Sequence, residues 1–288
     1  MSPFYPPSSK AARAAGSASD PLARLLALGR PVVMGVLNVT PDSFSDGGRF
    51  FDPERAIDHA RALVAEGADI LDIGAESTRP YGGAVAVSAD EELRRLEPIL
   101  PTVLGLGIPV SIDTMKAAVA AWALDAGAAV ANDVWGLQRD PDMARVVAER
   151  GVPVIVMHNR ETADPALDIM ADIAAFFSRS LAIADRAGIA RDNIVLDPGI
   201  GFGKTPEQSI IALSRLSELK SFGLPLLVGA SRKRFIDSVS PAPPDRRIGG
   251  SIASHLIAVA SGAAIVRVHD VAETVQALKV AAAIERAR

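Results

Sequence analysis

Short apolar runs rich in β-branched residues alternate with alanine-rich stretches along nearly the whole chain after residue 30. Each alanine-rich stretch tends to end at a glycine just before the next apolar run, as helices commonly do. Almost continuous apolar runs are typical of parallel strands, because both faces of a parallel sheet are buried. The pattern predicts eight strand–helix units, with strands in "PVVMGVLNVT", "ADILDIGAEST", "IPVSIDT", "AAVANDVWG", "VPVIVMHNR", "NIVLDPGIG", "LPLLVGASR" and "AAIVRVHD".

Capping signals mark the starts of several predicted helices. A capping residue followed by proline occurs at Asp52-Pro53, Asp140-Pro141 and Thr205-Pro206. The spacing of a capping box occurs in the pairs Ser88 and Glu91, Thr205 and Gln208, and Asp270 and Glu273.

Eight such units are typical of a (β/α)8 TIM barrel, which usually takes ~250 residues. The alternative is a doubly wound open sheet, but the segment after the first strand, "VLNVTPDSFSDGG", is not the glycine-rich turn common in that fold. We therefore expect one barrel domain over residues 21–288. Residues 1–20 are rich in Pro, Ser, Ala and Gly, which predicts a flexible extension.

Composition narrows the class of protein. The chain has a formal net charge of -4, which gives no reason to expect binding to nucleic acid or to an anionic membrane. It has no cysteine, which excludes disulfides, thiolate metal sites and cysteine nucleophiles. No apolar stretch reaches the ~18 residues of a membrane span, and the N-terminal segment lacks the apolar core of a secretory signal. These features predict a cytoplasmic protein.

The segment "DPGIGFGKT", residues 197–205, looks like a phosphate-binding loop but does not fit one. The nucleotide motif G-x-x-x-x-G-K-[ST] would need glycine where the chain has Pro198. The dinucleotide motif fails as well, because the three glycines alternate with other residues. Thr205 is explained as a helix cap, and we expect Lys204 to be solvated beside it.

Polar residues gather at the carboxyl ends of the predicted strands, where barrel enzymes place their chemistry. Each one alone has a structural explanation, since an aspartate at a strand end more often caps a helix or bonds to a loop. Their convergence from all eight strands is harder to explain structurally. The set is Asn38, Glu76, Thr78, Arg79, Asp113, Asn132, Asp133, His158, Asn159, Asp197, Ser231, Arg232, Lys233, Arg267 and His269.

The residue types in this set indicate a site with two ends. An anion pocket would be formed by Arg79, Lys233, Arg267 and His269. Acceptors suited to a neutral ring with several N–H donors are Asp113, Asn132 and Asp197. Asn38 offers a hard oxygen that could hold Mg²⁺ if substrate phosphates and waters complete its shell.

Seven ordered segments carry a resemblance to a known family: "GVLNVTPDSFSDGG", "GADILDIGAESTRP", "VSIDT", "ANDVWG", "LDPGIGFGKT", "VGASRKRF" and "IVRVHD". From about Val33 to Val280 the chain resembles the dihydropteroate synthases, pterin-binding (β/α)8 barrels of folate biosynthesis. The resemblance implies a transferase in which p-aminobenzoate attacks 6-hydroxymethyl-7,8-dihydropterin diphosphate. The products would be 7,8-dihydropteroate and pyrophosphate.

The resemblance also implies roles for individual residues. Pterin would be hydrogen-bonded by Asp113, Asn132, Asp197 and Lys233. The diphosphate and Mg²⁺ would be held by Asn38, Arg267 and His269, with Thr78 near the phosphates and Arg267 also against the ring. The p-aminobenzoate pocket would be shaped by Phe202, Ser231 and Lys233. Two loops would close over the site and bring in Asp46 and Arg79 as catalytic residues alongside Lys233, Arg267 and His269.

Two other functions stay open at this stage: a folate-dependent methyltransferase with the same barrel, and a pterin-binding protein without turnover. Arg79, Asn38 and the Arg267–His269 pair disfavour the methyltransferase, because it handles no diphosphate. The family is a sulfonamide target, and "GFGKTPEQ" shows no insertion of the kind found in acquired resistant relatives. Barrels of this family are often dimers, so the alanine-rich helices after strands 7 and 8 are candidates for a homodimer interface.

Overall fold

The computed structural model describes residues 21–40, 52–76 and 87–287, and its eight strands close into a parallel barrel in chain order. This confirms the predicted (β/α)8 barrel and excludes the open sheet. The strands are β1 (Val32–Asn38), β2 (Ile70–Gly74), β3 (Val110–Asp113), β4 (Val130–Asp133), β5 (Val154–Met157), β6 (Ile194–Asp197), β7 (Leu226–Val228) and β8 (Ala263–Val268).

Helices surround the barrel, and the second and seventh units each carry two. The helices are α1 (Pro21–Leu26), α2 (Pro53–Ala65), α3 (Ala89–Leu96), α4 (Leu100–Leu104), α5 (Ala117–Ala126), α6 (Met143–Arg150), α7 (Ile169–Ala187), α8 (Pro206–Ser214), α9 (Arg234–Val239), α10 (Ile248–Ala260) and α11 (Val271–Arg286). Pro98 lies between α3 and α4, and it has no backbone N–H with which to continue the helical hydrogen bonds of α3. Within the described ranges, no helix is both long and apolar enough to cross a membrane.

Alternation along the strands divides the core into two layers, since successive side chains point to opposite faces. One set packs outward against the helices and includes Leu71, Ile112 and Val156. The other fills the lower barrel interior and consists of Val32, Met34, Ile70, Val130, Ile155, Val195, Leu227 and Ile265. Helix α1 closes this end, with Leu22 buried against the interior set. The opposite end of the interior is polar.

Several predicted helix caps are confirmed. Asp52 accepts hydrogen bonds from backbone N–H groups in the first turn of α2. Thr205 and Gln208 form a complete capping box at α8. Ser88 accepts from the backbone N–H of Glu91 at the start of α3. These caps satisfy donors that the first turn of a helix leaves unpaired.

Two predicted caps are wrong. Helix α6 begins at Met143 without a side-chain cap. One carboxylate oxygen of Asp140 accepts from the backbone N–H of Ala117, 2.8 Å away at the start of α5, and the other accepts from the backbone N–H of Asp142. Asp270 makes no side-chain cap at α11, because its carboxylate pairs with the guanidinium of Arg232. In both cases a residue distant in sequence binds at least one oxygen of the carboxylate.

Candidate active site

The polar end of the barrel interior is built by strand alternation. Residues two positions beyond the buried interior set on β2, β4, β6 and β8 also point inward, and these positions are Asp72, Asn132, Asp197 and Arg267. Asp113 joins them at the end of β3, where it is in register with Asn132 on β4. Asn38, the partly buried last residue of β1, also lies at this end. Six strands therefore place polar side chains at one end of the barrel interior, which we call the mouth.

Arg267 is the centre of a buried charge network. Its Nε lies 2.5 Å from Asp72 Oδ2, and its Nη2 lies 2.6 Å from Asp113 Oδ2. Asn132 Nδ2 donates to the same Asp72 oxygen at 3.0 Å. Two carboxylates therefore face one guanidinium, and this part of the mouth carries a net negative charge when both are ionised.

The second oxygens of these carboxylates lack partners among the described residues. Asp72 Oδ1, Asp113 Oδ1 and the neighbouring Ser111 Oγ are buried and accept no hydrogen bond there. Burial raises the pKa of Asp113 to about 7, and the negative charge of Asp72 adds to the rise while Arg267 opposes it. Buried acceptors without donors are costly, so the arrangement suits a ligand that brings N–H groups.

A second set of contacts joins β6 to β7. Gly199 N donates to Asp197 Oδ1 at 2.7 Å, and Lys233 Nζ donates to the carbonyl oxygen of Ile200. The Lys233 ammonium also lies 4.4 Å from the centre of the Phe202 ring, in the geometry of a cation–π contact. Burial lowers the pKa of Lys233 to about 7, partly offset by the negative charge of Asp197. Burial raises the pKa of Asp197, and Lys233 opposes that rise.

The ends of β7 and β8 are tied together beside this set. Ser231 Oγ lies 3.0 Å from His269 Nδ1 and accepts from the His269 backbone N–H at 3.2 Å. Arg232, between Ser231 and Lys233, has a φ of 58°, which is unfavourable for a residue with a side chain. Its guanidinium pairs with Asp270, and this contact helps to hold the strained backbone in place.

The side chains at this end of the barrel could supply only part of the coordination shell of a metal ion. Within the described ranges there is no group of three or more His, Asp or Glu side chains that could hold an ion by itself. Asn38 at the mouth supplies one hard oxygen, so an ion there would take its other ligands from substrate and water. Mg²⁺ commonly binds in this way, through few protein oxygens together with substrate phosphates.

The structure brings together most, not all, of the residues predicted from the sequence. Asn38, Asp113, Asn132, Asp197, Phe202, Ser231, Lys233, Arg267 and His269 gather at the carboxyl ends of the strands. Asp46, Thr78 and Arg79 lie outside the described residues. Asp133 and His158 point away from the interior, where Asp133 accepts from the backbone N–H groups of Trp135 and Leu137.

Asp72 was missed by the sequence analysis. It lies inside the apolar run "ILDIG" of β2, where a single carboxylate does not by itself indicate a ligand-binding residue. The available signal was its position, two residues after the interior Ile70, which places it on the cavity side. The expectation for Lys204 was wrong, because this side chain is 1% exposed and its ammonium is enclosed by hydrogen-bond acceptors.

The fold and the polar end together define a TIM barrel of the enzyme type, with buried hydrogen-bond acceptors at the carboxyl ends of its strands. The pterin binding enzyme family model matches residues 34–269, and the chain belongs to that family. The dihydropteroate synthase of Bacillus subtilis is 45% identical over 251 residues, which cover 87% of each chain.

Solved structures agree with this assignment. A Clostridium difficile dihydropteroate synthase crystallised in the presence of pteroic acid is 48% identical with a TM-score of 0.84, and the match covers 88% of this chain and 97% of that one. A Xanthomonas albilineans dihydropteroate synthase with 4-aminobenzoic acid is 44% identical with a TM-score of 0.85, covering 89% and 93%.

Proposed function

We infer that the chain is a dihydropteroate synthase, a transferase that joins p-aminobenzoate to 6-hydroxymethyl-7,8-dihydropterin diphosphate and releases pyrophosphate. The observation that carries this inference is the group of buried acceptors in the mouth. Asp72 and Asp113 each keep one oxygen without a donor among the described residues, and a pterin ring presents several N–H donors. Ligand binding would supply the hydrogen bonds that these oxygens lack.

The pterin ring would lie across the interior between β3, β4 and β6. Asp113, Asn132 and Asp197 would face its polar edge, because all three side chains are buried at the carboxyl ends of their strands. Lys233 would reach the ring from β7, beside Asp197. Arg267 is held at this end of the barrel by its contacts with Asp72 and Asp113, so it is placed to contact the ring face.

The diphosphate would lie towards the open side of the mouth. Asn38 and His269 would contact it there, with Thr78 and Arg79 as further contacts from the second loop. Asn38 would also ligate Mg²⁺, which when bound reduces the negative charge on the departing pyrophosphate. Ser231 would orient the His269 ring through its contact with Nδ1.

The reaction needs little base catalysis. An aromatic amine is neutral at pH 7, so its lone pair can attack without prior loss of a proton. The harder event is departure of a highly charged group, and positioned cations are the direct means of stabilising that charge, with one such donor worth ~3–4 kcal/mol of barrier. Asp46 and the two loops would exclude water from the activated methylene. Phe202, Ser231 and Lys233 would line the p-aminobenzoate pocket.

The first experiment measures pyrophosphate release from the pterin diphosphate with and without p-aminobenzoate, in Mg²⁺ and then in EDTA. We expect release to require both p-aminobenzoate and Mg²⁺, with dihydropteroate formed in equal amount. Pterin binding without release would contradict the proposed function and favour a protein without turnover.

Two substitutions separate binding from turnover. Asp197→Ala should abolish pterin binding, because a buried acceptor is lost from the ring pocket. Asp46→Ala should leave binding of the pterin diphosphate largely intact and reduce turnover. Asp185→Ala on the exposed side of α7 is the matched control and should behave like the parent. Unchanged binding and turnover in both site variants would contradict the assignment of the site.

We also propose that the enzyme is a cytoplasmic homodimer. Helices α10 and α11 pack together and carry three exposed apolar side chains, Ile257, Val280 and Ile284, each more than half exposed. A second copy would cover such an apolar face. Light scattering should give the mass of a dimer, and Val280→Glu should give a monomer that keeps its fold. A parent protein that is monomeric at high concentration would contradict the dimer.

A further inference from the structure

Lys204 is buried behind the loop of residues 198–203, on the side away from the cavity. Its Nζ lies 2.6 Å from His158 Nδ1, 2.9 Å from the carbonyl oxygen of Gly199 and 3.1 Å from that of Phe202. Burial lowers the pKa of Lys204, and the negative charges of Asp197 and Asp172 oppose this fall. The three acceptors around Nζ match the three protons of the ammonium form. A lysine placed in this way connects the end of β5 to two points of the glycine-rich loop.

His158 is oriented for this contact from its other side. Its Nε2 lies 2.9 Å from Asp172 Oδ2, and Arg160 donates to the same oxygen at 3.0 Å. Because an ionised carboxylate only accepts, Nε2 carries the proton and Nδ1 is the acceptor for Lys204. Burial and the nearby charge of Lys204 lower the pKa of His158 to about 3, so the ring is neutral.

The loop also packs closely against the segment that follows β5. Gly199 has a φ of 63°, and a Cβ atom there would overlap the carbonyl oxygen of His158. A Cβ on Gly203 would lie 2.5 Å from the Cβ and carbonyl oxygen of Arg160. These glycines serve close approach to the neighbouring backbone. The outer side of the loop is thus fixed, while Phe202 contacts Lys233 on the other side.

We propose that Lys204, oriented by His158 and Asp172, is a positioning residue that sets Phe202 in the p-aminobenzoate pocket. This role rests on the function proposed above. Asp197 depends less on Lys204, because it is the last residue of β6 and is held by its register with Met157 of β5, whereas Phe202 lies in the loop that Lys204 contacts. Loss of the lysine should therefore disturb the p-aminobenzoate end of the site more than the pterin end.

Lys204→Met tests whether the p-aminobenzoate end of the site is disturbed more than the pterin end. Methionine keeps most of the side-chain volume and removes the three donors. We expect the KM for p-aminobenzoate to rise on the order of tenfold, because small displacements of positioning groups have large effects. Binding of the pterin diphosphate, measured by calorimetry, should stay within about twofold of the parent. Lys279→Met makes the same chemical change on an exposed position of α11 and should change neither quantity.

Asp172→Asn gives an independent test through the orienting partner. Without the carboxylate, His158 can carry its proton on Nδ1, which would then face the donors of Lys204. The KM for p-aminobenzoate should rise in the same direction as in Lys204→Met, and pterin binding should again be retained.

Nitrogen NMR of the parent protein needs no substitution. The chain has four histidines, so assignment is straightforward. The His158 signals should show a neutral ring protonated at Nε2 from pH 5 to 8. A titrating His158, or a proton on Nδ1, would overturn the proposal even if Lys204→Met fails to fold.

The outcomes separate this proposal from the function on which it rests. A parent protein that forms no dihydropteroate would contradict the proposed function. A parent protein that is active, with Lys204→Met showing an unchanged KM or an equal loss of both substrates, would contradict only the positioning role.

Discussion

Asp72, Asp113 and Arg267 form a group in which each charge depends on the other two. The guanidinium is within 2.6 Å of both carboxylates, and a buried ion pair is favourable only when both partners remain. Burial raises the pKa of Asp113 to about 7, and the negative charge of Asp72 adds to this rise while Arg267 opposes it. Pterin binding should therefore depend strongly on whether Asp113 is protonated.

Pterin affinity should fall as the pH drops below 7. Burial raises the pKa of Asp113 to about 7, so protons compete with ring N–H groups for this carboxylate at lower pH. The dissociation constant should increase towards tenfold per pH unit, the limit for one competing proton. Calorimetry from pH 5 to 8 measures this, with the titration of the ligand determined separately. Asp113→Asn is the control and should bind weakly with a flatter pH dependence.

Asp72→Asn should move this pH dependence to lower pH. The substitution removes a negative charge that raises the pKa of Asp113, so the midpoint should fall by about one unit while the shape of the side chain is kept. The same calorimetric series measures the midpoint. An unchanged midpoint would show that Asp72 does not act through Asp113.

The loop after β6 needs glycine for two reasons: its own backbone conformation and its close contact with the segment after β5. Gly199, Gly201 and Gly203 all have positive φ, a conformation that glycine adopts without penalty. Gly199 and Gly203 are also constrained by the segment after β5, whose backbone leaves no room for a side chain. The loop therefore depends on a neighbouring unit as well as on its own sequence.

Gly199→Ala should be more destabilising than Gly151→Ala. The two glycines have nearly equal φ, 63° and 62°, but a Cβ at Gly151 meets nothing within 4 Å. Gly151→Ala should cost about 1 kcal/mol for the left-handed backbone alone. Gly199→Ala adds a clash with backbone and should cost about 3 kcal/mol or more. Urea unfolding measures both, and equal values would contradict the requirement for close approach.

At the scale of the whole molecule, the barrel has an apolar lower end and a polar upper end. Leu22 of α1 closes the lower end against the interior side chains of the strands. The site residues lie at the opposite ends of the same strands. Stability and chemistry are thus separated along the barrel axis, as in other barrels of this type.

Leu22→Ala should lower the free energy of unfolding by about 2–5 kcal/mol, the range for removing a buried leucine. Leu28→Ala, at a position that is 50% exposed, is the control and should have little effect. Urea unfolding measures the difference, and steady-state kinetics below the melting temperature should be unchanged in both. A loss of turnover in folded Leu22→Ala would contradict the separation of the two ends.

The eight-unit barrel, most of the predicted helix caps and the strand ends at which the site forms could all be predicted from the sequence. These features depend on hydrophobic alternation, glycine and proline, which act within a few residues along the chain. The family was indicated by a different signal, the resemblance of seven ordered segments to the dihydropteroate synthases.

The partners of the buried charged groups could not be predicted from the sequence, because they depend on how the barrel closes. Arg267 pairs with Asp72 across 195 positions of sequence, and Lys204 reaches His158 across 46. Asp140 and Asp270 look like local caps but bond to other elements, and Asp72 looks like part of a strand but faces the cavity. Closure of the barrel sets these distances. Electrostatic attraction is strongest between the opposite charges that closure brings closest together.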